Sequence, residues 1–250
     1  MKVIVIPPIA FINKFNISDM HLLLAHLLKQ NEEYFRKYKE VKGYKIIDNG
    51  AFEGQLMNFD EVVKLAEQVD ANEVQLPDYL FDFEKTIKEA KESLEKNDVR
   101  DRFKVQFVVQ GSSREELEKG VQFAIDNNLV IGIPHEPCQM VYRRDFAPRE
   151  PLLAWIAKEY GEEMLKNVHL LGCHDMFEFY SIYYQKCRSM DTTLPIKLGI
   201  HRITLPSIED VKRPANYFTV NHLDGNQVDS ILRNLRYIKS IVENEYDKYV

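Results

Sequence analysis

Hydrophobic residues along the chain follow two alternating spacings. Short apolar runs, typical of buried strands, are separated by longer segments in which apolar residues return every three or four positions, as on one face of a helix. The runs predict strands over 2–6, 44–47, 73–76, 103–109, 129–133 and 168–171, and a further strand that contains Asp191. The helical spacing predicts helices over about 19–40, 59–69, 83–96, from 113 onward, 151–165, 176–186 and about 227–246. The segment 194–218 follows neither spacing and is expected to be irregular.

A strand followed by a helix, repeated seven or eight times, predicts parallel strands joined by helical crossovers. The length of 250 residues matches a single (β/α)8 barrel, the TIM-barrel architecture of the α/β class. An open doubly wound sheet would give a similar pattern. Because no Pro/Ser-rich linker or change of composition interrupts the chain, we predict one domain over residues 1–250.

The composition adds limits on partners and compartment. Hydrophobic residues make up 45% of the chain, which is enough to bury a large core, and the net charge of −6 argues against broad coating of nucleic acid while leaving room for a local basic groove. Three cysteines without a CxxC pair make a disulfide framework unexpected and favour a reducing cytoplasm. The apolar amino-terminal segment is too short to span a membrane and lacks a signal-peptide cleavage site, so no membrane association is expected.

Polar residues and glycines stand where the predicted strands end. They are Asp48, Asp78, Gln110, Gly132, Gly172 and Asp191. In a β/α barrel the carboxyl ends of the strands form the face that carries catalytic and binding groups. A single aspartate after a strand is often only a turn residue or a helix cap. Three aspartates together with a glutamine and two glycines at equivalent positions indicate a site.

These strand ends resemble motifs of the tRNA-guanine transglycosylase superfamily. The first motif resembles an Asp-Ser-Gly-Gly-Phe-Gln segment of that family, and the last is closest to the Asp-Ser-Ser form of the branch that places 7-deazaguanines in DNA. The matching segments, in chain order, are 48–53 (DNGAFE), 76–78 (LPD), 109–111 (VQG), 132–134 (GIP), 170–172 (LLG) and 189–193 (SMDTT). Each motif is short, and their shared order and spacing over about residues 45–193 carry the resemblance.

The resemblance implies an enzyme that cleaves the N-glycosidic bond of a nucleobase. Asp191 falls at the nucleophile position and Asp48 at that of a general acid/base. Such cleavage develops positive charge on the sugar and negative charge on the base, so a carboxylate beside the sugar and a proton donor beside the base are the groups the chemistry needs. The residues expected to bind the base are Asn49, Gly50, Phe52, Asp78, Gln110, Gly132 and Gly172. The implied partners are a nucleic acid, DNA rather than tRNA, and a free nucleobase.

The chain departs from the family pattern in its cysteines. The tRNA enzymes of the family carry a structural zinc site built from three closely spaced cysteines and a histidine, and no such cluster follows the last motif here. The histidines show neither HxH nor HExxH spacing. We therefore expect no metal and no cofactor. The first motif also has Ala51 and Glu53 where the family has glycine and glutamine, which suggests a different base specificity.

Two basic clusters are candidates for contacts with the phosphate backbone. Arg143, Arg144 and Arg149 lie after the fifth predicted strand, and Arg202 and Arg213 lie in the irregular segment. Both clusters are expected on the catalytic side of the barrel, where they would hold phosphates. The alternative is a solvated surface with acidic neighbours.

Other functions stay open. A barrel enzyme acting on a small metabolite would need a lysine or a pair of glutamates at the strand ends, and the sequence pattern identifies neither. A nucleic-acid-binding relative without activity would be expected to lack Asp48 or Asp191, and both are present. Base exchange and plain base excision by a DNA glycosylase are not separated by the sequence. The oligomeric state is also open, a homodimer being one option.

Overall fold

A computed structural model describes residues 1–207, 209 and 211–243. Eight parallel strands form one sheet in the order β1-β8-β7-β6-β5-β4-β3-β2, curled into a nearly closed barrel with helices between the strands. The strands are β1 Lys2–Val5, β2 Met20–Leu24, β3 Tyr44–Asp48, β4 Glu73–Gln75, β5 Lys104–Val108, β6 Val130–Pro134, β7 Val168–Leu171 and β8 Ser189–Thr192. The predicted α/β barrel is therefore confirmed.

Helices cover the outside of the barrel. They are α1 Ala25–Gln30, α2 Glu32–Glu40, α3 Phe59–Gln68, α4 Phe83–Lys96, α5 Arg114–Asp126, α6 His135–Tyr142, α7 Glu150–Tyr160, α8 Phe177–Tyr180, α9 Ile182–Lys186, α10 Leu194–Ile200 and α11 Gly225–Val242. Short 3-10 helices occupy Ile9–Phe11, Glu162–Asn167 and Tyr217–Thr219. Among the described residues, no helix combines the length and the apolar character needed to cross a bilayer.

Side-chain caps fix where several helices begin. Asn31, Asn58, Asp82, Ser113 and Asp224 each accept a hydrogen bond from a backbone N–H in the first turn of the helix that follows. These N–H groups have no partner within the helix, so the caps satisfy them and stop the helix from extending toward the preceding strand. Each helix after β3, β4 and β5 therefore begins only after a loop, and those loops are free to build the carboxyl rim.

The remaining gap in the barrel lies between β1 and β2. Side chains of Ile4, Ile6, Met20, Leu22 and Leu24 pack together there as a separate buried cluster that also includes Ile46 from β3. Burial of these side chains holds the two edge strands together where the ladder of sheet hydrogen bonds is interrupted. Side-chain packing therefore closes the barrel wall between β1 and β2.

The parallel register places all strand ends on one rim. Leu24 pairs with Asp48 across β2 and β3, and Ile4 pairs with Asp191 across β1 and β8. Asp191 lies on the eighth strand, one later than its predicted position, because the sequence pattern missed β2. The two candidate catalytic aspartates therefore stand at the same end of the barrel.

The predicted helix over 19–40 is wrong at its start. Met20–Leu24 is a strand whose five residues are all buried, and the helical part is divided into α1 and α2 at Asn31. A parallel strand covered on both faces has a continuous apolar sequence rather than an alternating one. The leucines of this strand and those of the following helix together produce the apolar spacing of one long amphipathic helix.

Other boundaries also differ from the sequence prediction. The loop after β6 contains helix α6, the segment predicted as irregular contains helix α10, and the predicted helix over 176–186 is broken at Ser181 into α8 and α9. The helix predicted over 151–165 ends at Tyr160 and is followed by a 3-10 turn. The last helix is described to Val242, and its predicted continuation to 246 lies outside the described residues.

Candidate active site

A cavity of about 390 Å³ opens at the carboxyl rim of the barrel. This volume is within the range of pockets that hold a small molecule or a single base. The predicted site residues that line it are Asp48, Asn49, Phe52, Asp78, Gln110, Gly172 and Asp191. The fold thus brings residues from five different strand ends to one enclosure.

Two of the predicted binding residues, Gly50 and Gly132, are not part of the cavity wall. Gly50 has φ of 82° and donates its backbone N–H to Asp48 Oδ1 at 2.5 Å, so it holds the Asp48 carboxyl group in place. A Cβ atom at Gly132 would overlap the side-chain amide of Gln106 inside the barrel. Gly132 therefore makes room for a core side chain, and the expected close approach of its backbone to a base does not occur at this wall.

Asp48 ends β3 and is almost completely buried. Burial raises the pKa of its carboxyl well above the ordinary value, and the nearby carboxylates of Glu53, Asp78 and Asp191 raise it further, against the hydrogen bond from Gly50. The raised pKa favours the protonated form of Asp48. A protonated carboxyl at a cavity wall can donate that proton to a departing group.

Asp191 has a different environment at the end of β8. Its Oδ1 accepts the backbone N–H of Gly172 at 3.1 Å. His169 Nε2 lies 3.3 Å from the same oxygen, without the alignment of a hydrogen bond, and His169 Nδ1 contacts Ser189 Oγ at 2.8 Å. Oδ2 accepts no hydrogen bond from the described residues. One oxygen thus fixes the orientation of Asp191 and the other is left for a ligand.

Asp78 is the centre of a buried amide network. Asn49 Nδ2 and Gln110 Nε2 each donate to one of its oxygens at 2.6 Å. The amide of Asn49 is held by Leu76 O at 2.7 Å, and Gln110 Oε1 accepts from Phe81 N at 3.1 Å. Burial raises the pKa of Asp78 to about 6, although both amide hydrogen bonds lower it. At neutral pH Asp78 is therefore an oriented acceptor whose remaining lone pairs can receive N–H donors.

The cavity is also lined by charged residues that were not among the predicted site residues, and these include Glu53 and Lys197. Glu53 lies 3.5 Å from a guanidinium nitrogen of Arg213; burial raises its pKa, and Arg213 opposes that shift. Lys197 lies on α10, lines the cavity and is only 6% exposed. Glu53 could have been predicted, because it belongs to the segment 48–53 that resembles a family motif. Nothing in the sequence could show that α10 turns Lys197 inward.

The basic residues separate into three groups. Arg143 and Arg144 are exposed near the rim, and Arg144 pairs with Glu150 at 3.0 Å. Arg202 is exposed and pairs with Asp224 at 2.7 Å, whereas Arg213 lines the cavity. Of the arginines predicted to contact phosphates, these four remain candidates.

The expectation that Arg149 binds phosphate is wrong. Its side chain is 0% exposed, and its guanidinium donates to Glu178 Oε1 at 2.6 and 2.9 Å. The same guanidinium donates to the carbonyls of Ile133 and Leu171, at the ends of β6 and β7. Burial alone would lower the pKa of Arg149, but Glu178 raises it above its usual value. Arg149 therefore has a structural role: its buried guanidinium connects the ends of β6 and β7 beneath the rim.

Aromatic and aliphatic side chains surround the cavity mouth. Phe52 and Leu80 line the cavity and are 57% and 48% exposed. Tyr79, in the loop after β4, has the ammonium of Lys85 over its ring at 3.7 Å. Phe52 is therefore the aromatic ring available to a ligand that enters the cavity.

Comparison of the sequence with protein-family models and with curated proteins finds no match. The fold and the site together define a (β/α)8-barrel protein whose cavity at the carboxyl rim is lined by five carboxyl groups, an amide network and three basic side chains.

Proposed function

We propose that the protein is an enzyme that cleaves the N-glycosidic bond of a nucleobase, as a transglycosylase that exchanges in a base of the 7-deazaguanine type. One observation carries the proposal: Asp48 and Asp191 line the same cavity in opposite roles, Asp48 buried with a raised pKa and Asp191 oriented by Gly172 with one oxygen left open. A retaining displacement at a sugar needs this combination of an acid and a nucleophile.

The reaction can be written with each bond accounted for. Asp191 Oδ2 attacks C1′ as the bond from C1′ to the base nitrogen breaks, and the electron pair of that bond passes to the base. Asp48 gives its proton to the leaving base. In the second half an incoming base attacks C1′, its proton passes to Asp48, and Asp191 is released. Water in place of the incoming base would give excision.

Base recognition falls to the Asp78 network. Asn49 donates both amide N–H groups, to Leu76 O and to Asp78, and Gln110 donates one to Asp78, so this wall offers mainly the acceptor lone pairs of Asp78. The complementary edge carries N–H donors, as the ring N–H and amino group of a guanine-type base do. Phe52 is positioned to stack on a base that has been turned out of the nucleic acid.

The test is mass spectrometry of bases released from, and inserted into, DNA and RNA incubated with the protein. DNA and tRNA substrates are compared, with and without added free 7-deazaguanine-type bases. We expect release that depends on the added base and an equal amount of its incorporation into DNA. Release without incorporation would replace exchange by excision. No base release from any substrate would overturn the proposal.

A second candidate function, a barrel enzyme acting on a small carbonyl metabolite, is favoured by the position of Lys197. A buried amine beside carboxyl groups in a barrel cavity is the arrangement that imine-forming enzymes use. Borohydride reduction in the presence of carbonyl metabolites separates the two functions. A stable adduct on the peptide containing Lys197, together with no base release, would favour this candidate.

We predict that the acid limb of the pH profile belongs to Asp78. Because the pKa of Asp78 is raised to about 6, its carboxylate loses charge as pH falls through that value, and kcat/KM for the preferred base should fall with it. Asp78→Asn should remove this limb and weaken selection of the preferred base by about 10-fold or more. The matched control is Asp145→Asn, an exposed aspartate, which should keep the limb. An unchanged limb in Asp78→Asn would assign it to another group.

We also predict that nucleic-acid binding depends on salt through the four accessible arginines near the rim. Each lost phosphate contact should reduce the slope of log K against log salt by about 1. We would measure affinity over a salt series for the variant with Arg143, Arg144, Arg202 and Arg213 changed to Gln. Arg100→Gln is the control, because this exposed arginine precedes β5 and so lies toward the opposite end of the barrel. Equal slopes for the wild type and the fourfold variant would assign these arginines to solvated surface.

A further inference from the structure

Two histidines and a glutamate meet beside the cavity, at the ends of β6 and β7. His135 and Glu136 begin α6 directly after β6, and His174 follows β7. One ligand atom from each of the three side chains lies within 4.8 Å of the others. The ring centroids of His135 and His174 are 4.6 Å apart, and His174 Nε2 lies 3.3 Å from Glu136 Oε1.

We infer that His135, Glu136 and His174 form a binding site for a divalent transition-metal ion of the Zn²⁺ type. Two imidazole nitrogens and one carboxylate oxygen are a common protein ligand set for such an ion, and three protein ligands leave one coordination position open. Contraction of the cluster around an ion needs only small side-chain movements, since the ligand atoms already converge. This inference does not rest on the proposed function.

The surroundings of the cluster supply the second layer that metal sites need. A ring nitrogen of His135 also lies within 4.8 Å of carboxylate oxygens of Asp175 and Glu178. Asp175 Oδ2 is buried without a hydrogen-bond partner among the described residues. A metal-bound histidine usually donates its other ring N–H to a carboxylate, which fixes the ring. Asp175 Oδ2 offers such an acceptor, while Oδ1 of the same carboxylate accepts the backbone N–H of Glu178 at 3.2 Å.

The backbone under the cluster is held firmly. Glu178 Oε2 accepts the backbone N–H of His174 at 3.3 Å, and the other oxygen of Glu178 is bound by the buried guanidinium of Arg149. The two strand ends that carry the ligands are paired directly, Pro134 with Leu171. A preorganised backbone lowers the cost of gathering the ligands around an ion.

The site opens toward the cavity. Glu136 and His174 line the cavity wall, while His135 is buried behind them. An ion therefore has an entry path, and its open position would face the space where the substrate is held. The spacing of the histidines along the chain does not reveal this site, because its ligands come from two strand ends and not from one helix. The sequence therefore led to the expectation that no metal is bound.

The experiment is calorimetric titration of ZnCl₂ into the full-length protein, prepared without an affinity tag and freed of metal with a chelator. We expect one ion bound per chain. His135→Ala and His174→Ala should each weaken binding by more than about 100-fold, beyond the loss seen for outer-layer residues. Co²⁺ absorption in the visible range gives a second measurement, because its intensity reports a low-coordinate site. Zn²⁺ should raise the Tm of the wild type and leave that of the variants unchanged.

The controls are His201→Ala and His222→Ala, two exposed histidines outside the cluster, which should bind Zn²⁺ as the wild type does. Circular dichroism of each metal-free variant checks that it is folded. Absence of stoichiometric binding in the wild type would overturn the inference. So would unchanged binding in the His135→Ala/His174→Ala double variant, or an equal loss in the control variants, because the ion would then be held elsewhere.

Discussion

Asp191→Ala should lower kcat for base release by about 10⁴-fold or more and leave the affinity for the nucleic acid largely unchanged. The reason is that Asp191 stabilises positive charge that develops on the sugar only near the transition state, so its loss affects turnover more than ground-state binding. The two groups in contact with this carboxylate, His169 and the backbone N–H of Gly172, carry no negative charge that could take its place. Single-turnover kinetics and a separate binding titration would measure the two effects.

The matched controls for Asp191 use the other aspartates. Asp145→Ala, on the surface, should retain full activity. Asp48→Asn keeps the shape of the side chain but cannot transfer a proton, and should cost about 10²- to 10⁴-fold. If a covalent intermediate forms, a trapped sugar should map to the peptide containing Asp191. Full activity in Asp191→Ala would contradict the assignment of Asp191 as the nucleophile. Full activity in both Asp191→Ala and Asp48→Asn would contradict the function inferred from the family resemblance. Asp191→Asn repeats the test should the alanine variant not fold.

The sequence was sufficient to predict the barrel and the rim because both depend on local order along the chain. Each short apolar run followed by a polar strand end predicts a parallel strand, and parallel strands put Asp48, Asp78 and Asp191 on the same face whatever their neighbours are. The error at β2 did not disturb this result. Adding one strand before β3 moves Asp191 from the seventh to the eighth strand without moving it to the other end.

The parts of the site that sequence reasoning missed depend on tertiary packing. Helix α10 contains a proline and a glycine, and its local sequence did not predict a helix. It forms because α11 packs on it: a Cβ at Gly199 would overlap Ile231, and Asn234 Nδ2 donates to Pro195 O at 3.0 Å. Lys197 reaches the cavity only through that contact. The sequence of residues 194–200 alone therefore predicts neither the helix nor the position of Lys197.

Charge patterning likewise cannot distinguish an accessible arginine from a buried one. Arg143, Arg144 and Arg149 are close in sequence, yet the first two are exposed and the third is buried against Glu178. The partner of Arg149 is supplied by a helix that follows the next strand, so the ion pair exists only after β6 and β7 have come together. The same folding step assembles His135 and His174, which explains why both features were missed together.

Arg149→Met is expected to lower the free energy of unfolding by about 3–5 kcal/mol, because it leaves the carboxylate of Glu178 buried without its partner. It also frees the carbonyls of Ile133 and Leu171, which Arg149 caps at 3.1 and 2.7 Å. In a chain of this size each kcal/mol lost lowers Tm by about 2–4 °C. Chemical denaturation and calorimetry would measure both quantities.

Comparison with a double variant tests the cause of this loss. Arg149→Met combined with Glu178→Leu removes both charges and should be less destabilising than Arg149→Met alone, since no uncompensated carboxylate remains. Arg233→Met is the surface control; its exposed pair with Asp229 should contribute less than about 1 kcal/mol. Nucleic-acid affinity of the folded Arg149→Met protein should match the wild type. Unchanged stability together with weakened, less salt-dependent binding would instead restore Arg149 as a phosphate contact and contradict its burial under the rim.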